Sequence, residues 1–241
     1  MKLEIIGFNI ESCIIAAEAG ANRIELCGNP AEGGTTPSYG FIEAARNTLQ
    51  IELYVMIRPR GGDFIYSAEE YQIMRHDIEI CKQLKCDGVV IGMLTPSGKV
   101  DKERCEKLIN YAYPLGVTFH RAFDRVKEPV QSLKEIIDIG CERILTSGLK
   151  PKAADGKELI RELITEADER IIIMPGSGVN AQNIISLAES TGATEFHSSA
   201  SILKDCKMEY NNGEMNEQMN HIIVNKTEML TMRKLLDEYS G

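Results

Sequence analysis

Acids, imidazoles and guanidinium groups recur in this sequence beside glycine, in short strings that make poor core material. Glu25-Leu26-Cys27 is followed by Glu32-Gly33-Gly34-Thr35-Thr36-Pro37. Further along stand Arg58-Pro59-Arg60-Gly61-Gly62-Asp63, His120-Arg121-Ala122-Phe123-Asp124, Thr146-Ser147-Gly148, Pro175-Gly176-Ser177-Gly178 and His197-Ser198-Ser199. An imidazole titrates close to neutral pH, so His120 and His197, with Glu25 and Asp124, are the candidates for general acid/base work. Arg58 and Arg60 flank Pro59, and a guanidinium offers a rigid fork for carboxylate or phosphate. With Asp63, Arg121, Ser147 and Ser198 they read as a binding corner for a small anion. Gly176 and Gly178 precede a helix expected to begin near Ala181–Asn183, where backbone N–H groups could take a phosphate. Arg58 is the expected partner of Glu25, whose charge must be paired or hydrated. A plainer reading has His120, Arg121 and Asp124 bracing one another through hydrogen bonds.

Those strings need a scaffold that brings them to one place. Short β-branched runs alternate with helical patterns, the mark of parallel βαβ units. The expected strands are Lys2–Gly7, Arg23–Leu26, Glu52–Ile57, Gly88–Ile91, Val117–Phe119, Arg143–Leu145, Ile171–Met174 and Glu195–Phe196. Between them, Tyr71/Met74/Ile78/Cys81 and Cys105/Leu108/Ile109/Ala112 trace apolar helical stripes. Gly20, Gly116, Gly140 and Gly192 read as helix stops, since glycine takes the left-handed conformation at little cost. A last helix over 216–239, with Met229, Met232, Leu236 and Tyr239 on one stripe, would close the fold; Tyr210–Gly213 reads as a turn before it. The pattern predicts an α/β fold: a single-domain (β/α)8 TIM-type barrel of parallel strands over 1–241, with an open doubly wound sheet as the main rival. In such a barrel the polar strings all follow strand ends and open on one face, where sites of this fold are built.

The chain has 241 residues, 43% of them hydrophobic and 26% charged, which suits one such barrel of about 250 residues. The net charge of −9 repels phosphate backbones and anionic lipid heads, so neither nucleic acid nor a membrane is expected as partner. No apolar run approaches the ~20 residues of a membrane span. Nor does the Met1-Lys2-Leu3-Glu4 start resemble a signal peptide, which makes the cytoplasm the expected location. The cysteines, Cys13, Cys27, Cys81, Cys86, Cys105, Cys141 and Cys206, are odd in number and contain no C-x-x-C, against both a disulfide framework and a structural zinc site.

Several strings are long and unusual: Arg23-Ile24-Glu25-Leu26-Cys27, Glu32-Gly33-Gly34-Thr35-Thr36-Pro37-Ser38, Ile57 through Phe64, Val117 through Asp124, Leu145-Thr146-Ser147-Gly148 and Glu195 through Ala200. Together they resemble the CutC family, over nearly the whole chain from Leu3 to beyond Asn211. The resemblance implies a cytoplasmic (β/α)8 barrel, often a homodimer, with a role in copper homeostasis and Cu(I) binding as its direct form. It also implies cysteine ligands at the neighbouring ends of the first two strands. Cys27 matches the second position, whereas the first falls on Ile6, which cannot ligate a metal.

Cu(I) favours thiolates and thioethers. Cys81 and Cys86, five apart on an expected helix, would point in different directions. Cys13, Cys105 and Cys141 read as small helix hydrophobes, and the pairs Cys206/Met208 and Met215/Met219 as packing. Two readings therefore stand: a copper-homeostasis protein binding Cu(I) through Cys27, and an enzyme (isomerase, lyase or hydrolase) acting on a small anionic metabolite, with phosphorylated ones among the candidates.

Overall fold

The computed structural model describes residues 1–216 and 218–240, so the last residue of the expected single-domain span, Gly241, and one position of the expected closing helix, Glu217, lie outside the described residues. Eight strands, β1 (Lys2–Gly7), β2 (Arg23–Leu26), β3 (Glu52–Met56), β4 (Gly88–Ile91), β5 (Gly116–Phe119), β6 (Arg143–Thr146), β7 (Ile172–Pro175) and β8 (Glu195–Ser198), form one parallel sheet. Its order is β7-β6-β5-β4-β3-β2-β1-β8, and β7 lies against β8, so the ring is nearly closed. A helix follows each strand: α1 (Ile10–Glu18), α2 (Tyr39–Thr48), α3 (Ala68–Gln83), α4 (Lys102–Ala112), α5 (Pro129–Asp138), α6 (Lys157–Ala167), α7 (Ile184–Thr191) and α8 (Lys226–Ser240). This is the expected (β/α)8 barrel, not an open doubly wound sheet.

The alternation of each strand divides the labour between fold and chemistry. Side chains at successive positions face opposite sides of a sheet. Leu3 and Ile5 of β1, Ile24 and Leu26 of β2, and Leu53 and Val55 of β3 belong to the main apolar core under the helices. The alternate residues fill the ring itself: Ile6, Cys27, Tyr54, Met56 and Val90 form a second, smaller cluster. Strands β2, β4, β6 and β8 are buried at every position, because one face meets helices and the other meets the ring interior.

The lower ring interior is ionic. Glu195, at the start of β8, takes both terminal nitrogens of Arg23 at 2.6 and 2.9 Å and Nε of Arg143 at 2.7 Å. Arg143 also donates to Thr118 at 3.1 Å, and Nε of Arg23 lies 3.2 Å from Glu4. Both guanidinium groups stack over the Tyr54 ring, 5.0 and 5.4 Å from its centre, where cation–π attraction adds to the ion pairing. That ring fits only because β4 starts on glycine: a Cβ on Gly88 would stand 2.2 Å from a Tyr54 ring carbon.

The helices follow the sequence pattern closely. Ser67 and Glu70 form a reciprocal capping box at the start of α3. Met74, Ile78 and Cys81 of α3, and Cys105, Leu108, Ile109 and Ala112 of α4, are buried as their spacing predicts. Gly20, Gly140 and Gly192 take positive φ (93°, 89° and 79°) after their helices, as expected of stops. Gly116 does not serve as one; it is the first residue of β5, where a Cβ would meet the Tyr54 hydroxyl.

Three expectations change. The closing helix begins at Lys226, not near 216. The stretch before it pairs instead, β9 (Ser201–Lys204) running antiparallel to β10 (His221–Val224). Its Ile-Ile-Val run is short and β-branched, and β-propensity at that point overrides the helical spacing of the methionines. Met229, Met232 and Leu236 are buried on α8, but Tyr239 is exposed in its last turn. Cys86 lies beyond the end of α3, after Lys85 with φ of 57°, and that turn places its thiol beside Cys81 instead of pointing it away. Finally, α7 starts at Ile184, so a turn separates Gly176–Gly178 from the helix.

Glu195 is the only carboxylate shared by Arg23 and Arg143 in these contacts, so Glu195→Gln should cost about 3–5 kcal/mol, the range for breaking a buried pair. Urea denaturation of the variant checks this; a loss below about 1 kcal/mol, the level of an exposed pair, would show that the floor is solvated.

Candidate active site

Above the ionic floor a second layer carries the titrating groups. β1 pairs Glu4 with His197 of β8 and with Arg23 of β2, and Ile6 with Glu25. That register sets His197 between two carboxylates. Its Nδ1 lies 2.7 Å from Glu4 Oε1, and its Nε2 lies 3.8 Å from Glu25 Oε2. All three side chains are buried. Burial alone would push the His197 pKa down, but the charge of Glu25 and the hydrogen bond and charge of Glu4 outweigh it, and the pKa is raised. Burial would likewise raise the Glu4 carboxyl, yet the bond to His197 and the nearby arginines hold it lowered. Glu25 has weaker partners: burial, with the charge of Glu4 added, lifts it to about 7 despite His197. One site thus holds a carboxylate–imidazole pair and a second carboxyl poised near neutrality.

His120 behaves in the opposite way. Its Nδ1 accepts the Ala122 N–H at 3.1 Å, so the ring proton sits on Nε2. That nitrogen is buried and has no hydrogen-bond partner. Burial, assisted by the charge of Arg58, lowers its pKa to about 3, so the ring is neutral at physiological pH. Gly92 makes room for it, because a Cβ there would stand 2.4 Å from the ring.

These groups face one chamber of about 300 Å³ at the barrel mouth, lined among others by Glu25, His197, His120, Arg58, Arg121 and Gly178. It opens into a wider trough of about 1060 Å³ that shares Gly33, Arg58, Phe64 and Arg121 and adds Asp63, Asp124, Arg125 and Lys150. Of the residues expected at the site, Arg60, Ser147, Gly176 and Ser198 line neither space. Arg60 turns aside to Glu70 at 2.6 Å and Asp63 at 3.0 Å. Ser147 and Thr146 are spent on Asp124, whose carboxylate also accepts from the Leu149 N–H and from Arg121 Nε at 2.7 Å. Asp124 is therefore a brace that holds Arg121, although it borders the trough; His120 takes no part in that network, contrary to the plainer reading, because its Nδ1 accepts the Ala122 N–H. Ser198 donates to the Val179 carbonyl, and Gly176 packs under Leu145 and His197.

Two further expectations are corrected. Arg58 does not pair with Glu25; it donates to the carbonyls of Glu32, Gly34 and Gly62 at 2.7–2.9 Å and stacks over Phe64, tying two mouth loops together. The turn before α7 is also closed to a phosphate: the N–H groups of Asn180, Ala181 and Gln182 already meet Asn183, Glu228 and Asn180 side chains. Glu4 is the site residue that composition and glycine-rich strings do not reveal. Its signal is the alternation Leu3-Glu4-Ile5, an acid between two core residues, which turns it into the ring.

A family model described as "CutC family" matches residues 1–202. The chain belongs to the CutC family. It is 45% identical over 213 residues to a human protein named copper homeostasis protein cutC homolog, covering 88% of this chain and 78% of the relative. A CutC family protein of Chromobacterium violaceum is 49% identical over 211 residues, covering 88% and 85%. The crystal structure of a copper homeostasis protein CutC from Streptococcus agalactiae superposes with a TM-score of 0.80 at 35% identity, covering 83% of this chain and 98% of that one.

The residues present do not make the thiolate pair that family membership suggests. Cys27 packs with Met56, Tyr54 and Val90, and the first-strand CutC position beside it is the hydrocarbon Ile6. Burial pushes the Cys27 thiol well up, as does the neighbouring Glu25 carboxyl 3.7 Å away, so the sulfur stays protonated. A thiol in that state is a poor metal ligand. Glu4, Glu25 and His197 do offer ligand atoms within 4.8 Å of one another, but oxygen and imidazole donors suit a divalent cation better than Cu(I). Among the described residues no helix is long and apolar enough to cross a membrane.

The two histidines should titrate in opposite senses. His197, raised, contributes stability that is complete below the unfolded value near 6.5 and fades as pH rises through its folded pKa. His120, lowered, makes the protein lose stability as pH falls from about 6.5 towards about 3. NMR titration of the imidazole signals checks both, with His120→Gln expected to flatten the acid slope; a His120 signal titrating near 6.5 would contradict its burial as a neutral ring.

Proposed function

We propose that the barrel mouth binds a small anionic metabolite and moves a proton to or from it, in a reaction of the isomerase or lyase type. The observation that carries this is the Glu4–His197–Glu25 arrangement facing the same chamber as the unpartnered His120 Nε2. Glu4 holds the Nδ1 proton of His197 and aims Nε2 at Glu25 and the chamber, the orientation a general base needs. Glu25, at about 7, can hold or release a proton near neutral pH. His120 Nε2–H is a fixed neutral donor, suited to an oxygen that gains negative charge when a proton leaves the adjacent carbon. A donor that is already neutral loses no proton to the oxyanion it stabilises.

The charge of the mouth favours an anion. Arg58 and Arg121 face the chamber, and Arg125 and Lys150 line the trough outside it. A chamber of about 300 Å³ is at the small end for ligand sites, which points to a metabolite of a few carbons carrying a carboxylate or phosphate. The seven unpaired cysteines accord with a cytoplasmic setting. For Cu(I), Cys27 with Met56 is the available soft pair in the ring, and the protonated thiol beside Glu25 gives that reading little support.

A thermal-shift screen against inorganic phosphate, small carboxylates and sugar phosphates tests the proposal, because a ligand at 100 times its Kd adds ~2.7 kcal/mol. Arg121→Ala should abolish the shift of any hit. With that hit as substrate, Glu25→Gln and His197→Gln should keep the shift but lower turnover by about 10²–10⁴-fold. An unchanged rate in both variants would sink the acid/base assignment.

A further inference from the structure

A larger group of soft donors than the ring's Cys27 and Met56 is gathered elsewhere. The described residues between β9 and β10, 205–216 and 218–220, lie beyond the residues matched by the family model. Cys206, Met208, Met215 and Met219 all line one cavity of about 510 Å³ there, together with Tyr210 and several asparagine and glutamine side chains. The pairing of Lys204 with His221 sets the register, and continuing it places Cys206 opposite Met219. The Cys206 N–H donates to Asn220 Oδ1 at 3.0 Å, which holds the two limbs at that level. The Met208 N–H points at Cys206 Sγ, 3.3 Å away, and brings the third donor's backbone against the sulfur.

Packing does not account for these methionines. Thioethers used as core filler are buried, yet Met208, Met215 and Met219 are 62%, 52% and 45% exposed. An exposed cavity edged by one thiol and three thioethers offers a low-charge, sulfur-rich set of the kind that selects Cu(I) or Ag(I) over divalent cations. It differs from Cys27 in each respect that matters for loading. Cys206 is partly exposed, whereas Cys27 is sealed in the ring beside a carboxyl.

We infer that the cavity edged by Cys206, Met208, Met215 and Met219 is a binding site for Cu(I) or another soft monovalent cation, with these four residues as its ligands. The site is separate from the barrel mouth, so the two activities can be tested apart. The exposure of the three methionines lets a donor molecule reach them directly.

The test is an anaerobic Cu(I) titration of the full chain in competition with bicinchoninate, with X-ray absorption to identify the donor atoms. The expected result is a tight site with a sulfur-only shell. Cys206→Ser, and a triple variant with Met208, Met215 and Met219 each changed to Leu, should each weaken it at least about tenfold, the loss that even outer partners of a metal site bring. Cys27→Ser and Cys81→Ala should leave it unchanged. Leucine keeps the apolar bulk and removes the sulfur, so native affinity in the triple variant would overturn the proposal and return the methionines to packing. Loss of binding in Cys27→Ser or Cys81→Ala, with binding intact in Cys206→Ser, would also overturn it. Urea denaturation of each variant confirms that the barrel is unaffected.

Discussion

The barrel depends on how charge is neutralised inside its ring. Taking arginine out of water costs several kcal/mol per ion, and the ring holds Arg23 and Arg143 together. Glu195 answers both, and Glu4 takes the remaining edge of Arg23. Because Glu4 is shared, the floor and the chemical layer are one network: the carboxylate that neutralises Arg23 also orients His197. Burial lifts the pKa of Glu25, which has no strong partner of its own, towards neutrality, and the charge of Glu4 adds to the rise.

The same division explains what could be read from the sequence. Outward-facing residues carry local signals: period-2 strands, helical stripes and glycine stops. The strands consequently appear within a residue or two of their expected limits. Inward-facing residues make contacts across the ring between elements far apart in the chain, and such contacts leave no local pattern. His120, His197, Glu25, Arg58 and Arg121 were legible because their strings follow strand ends, where this fold puts its sites. Glu4, Arg23, Arg143 and Glu195 lie at or near strand starts, where composition gives a charged residue the look of a surface one. Arg60 and Ser147 show the converse error. They sit in the right strings, but backbone turns and nearby acids claim them before the chamber can.

The C-terminal segment was the hardest to read. Its methionine spacing suits a helix, while its His221–Val224 run suits a strand. Here the β-propensity of the run and its pairing with Ser201–Lys204 together select the strand. The outcome exposes the methionines that a helix would have buried, and it gives the hairpin a chemical character foreign to the barrel it decorates.

The Cys27–Glu25 contact has a consequence for survival in an oxidising burst. Peroxide attacks thiolates, and susceptibility follows thiolate character and exposure. Cys27 has neither: it is fully enclosed, and the carboxyl beside it disfavours loss of its proton. The thiol beside Glu25 is thus of the least reactive kind, whereas Cys206 on the outer hairpin is partly exposed and the more open to attack. A barrel ring can tolerate a thiol in its wall when a neighbouring acid keeps that sulfur protonated.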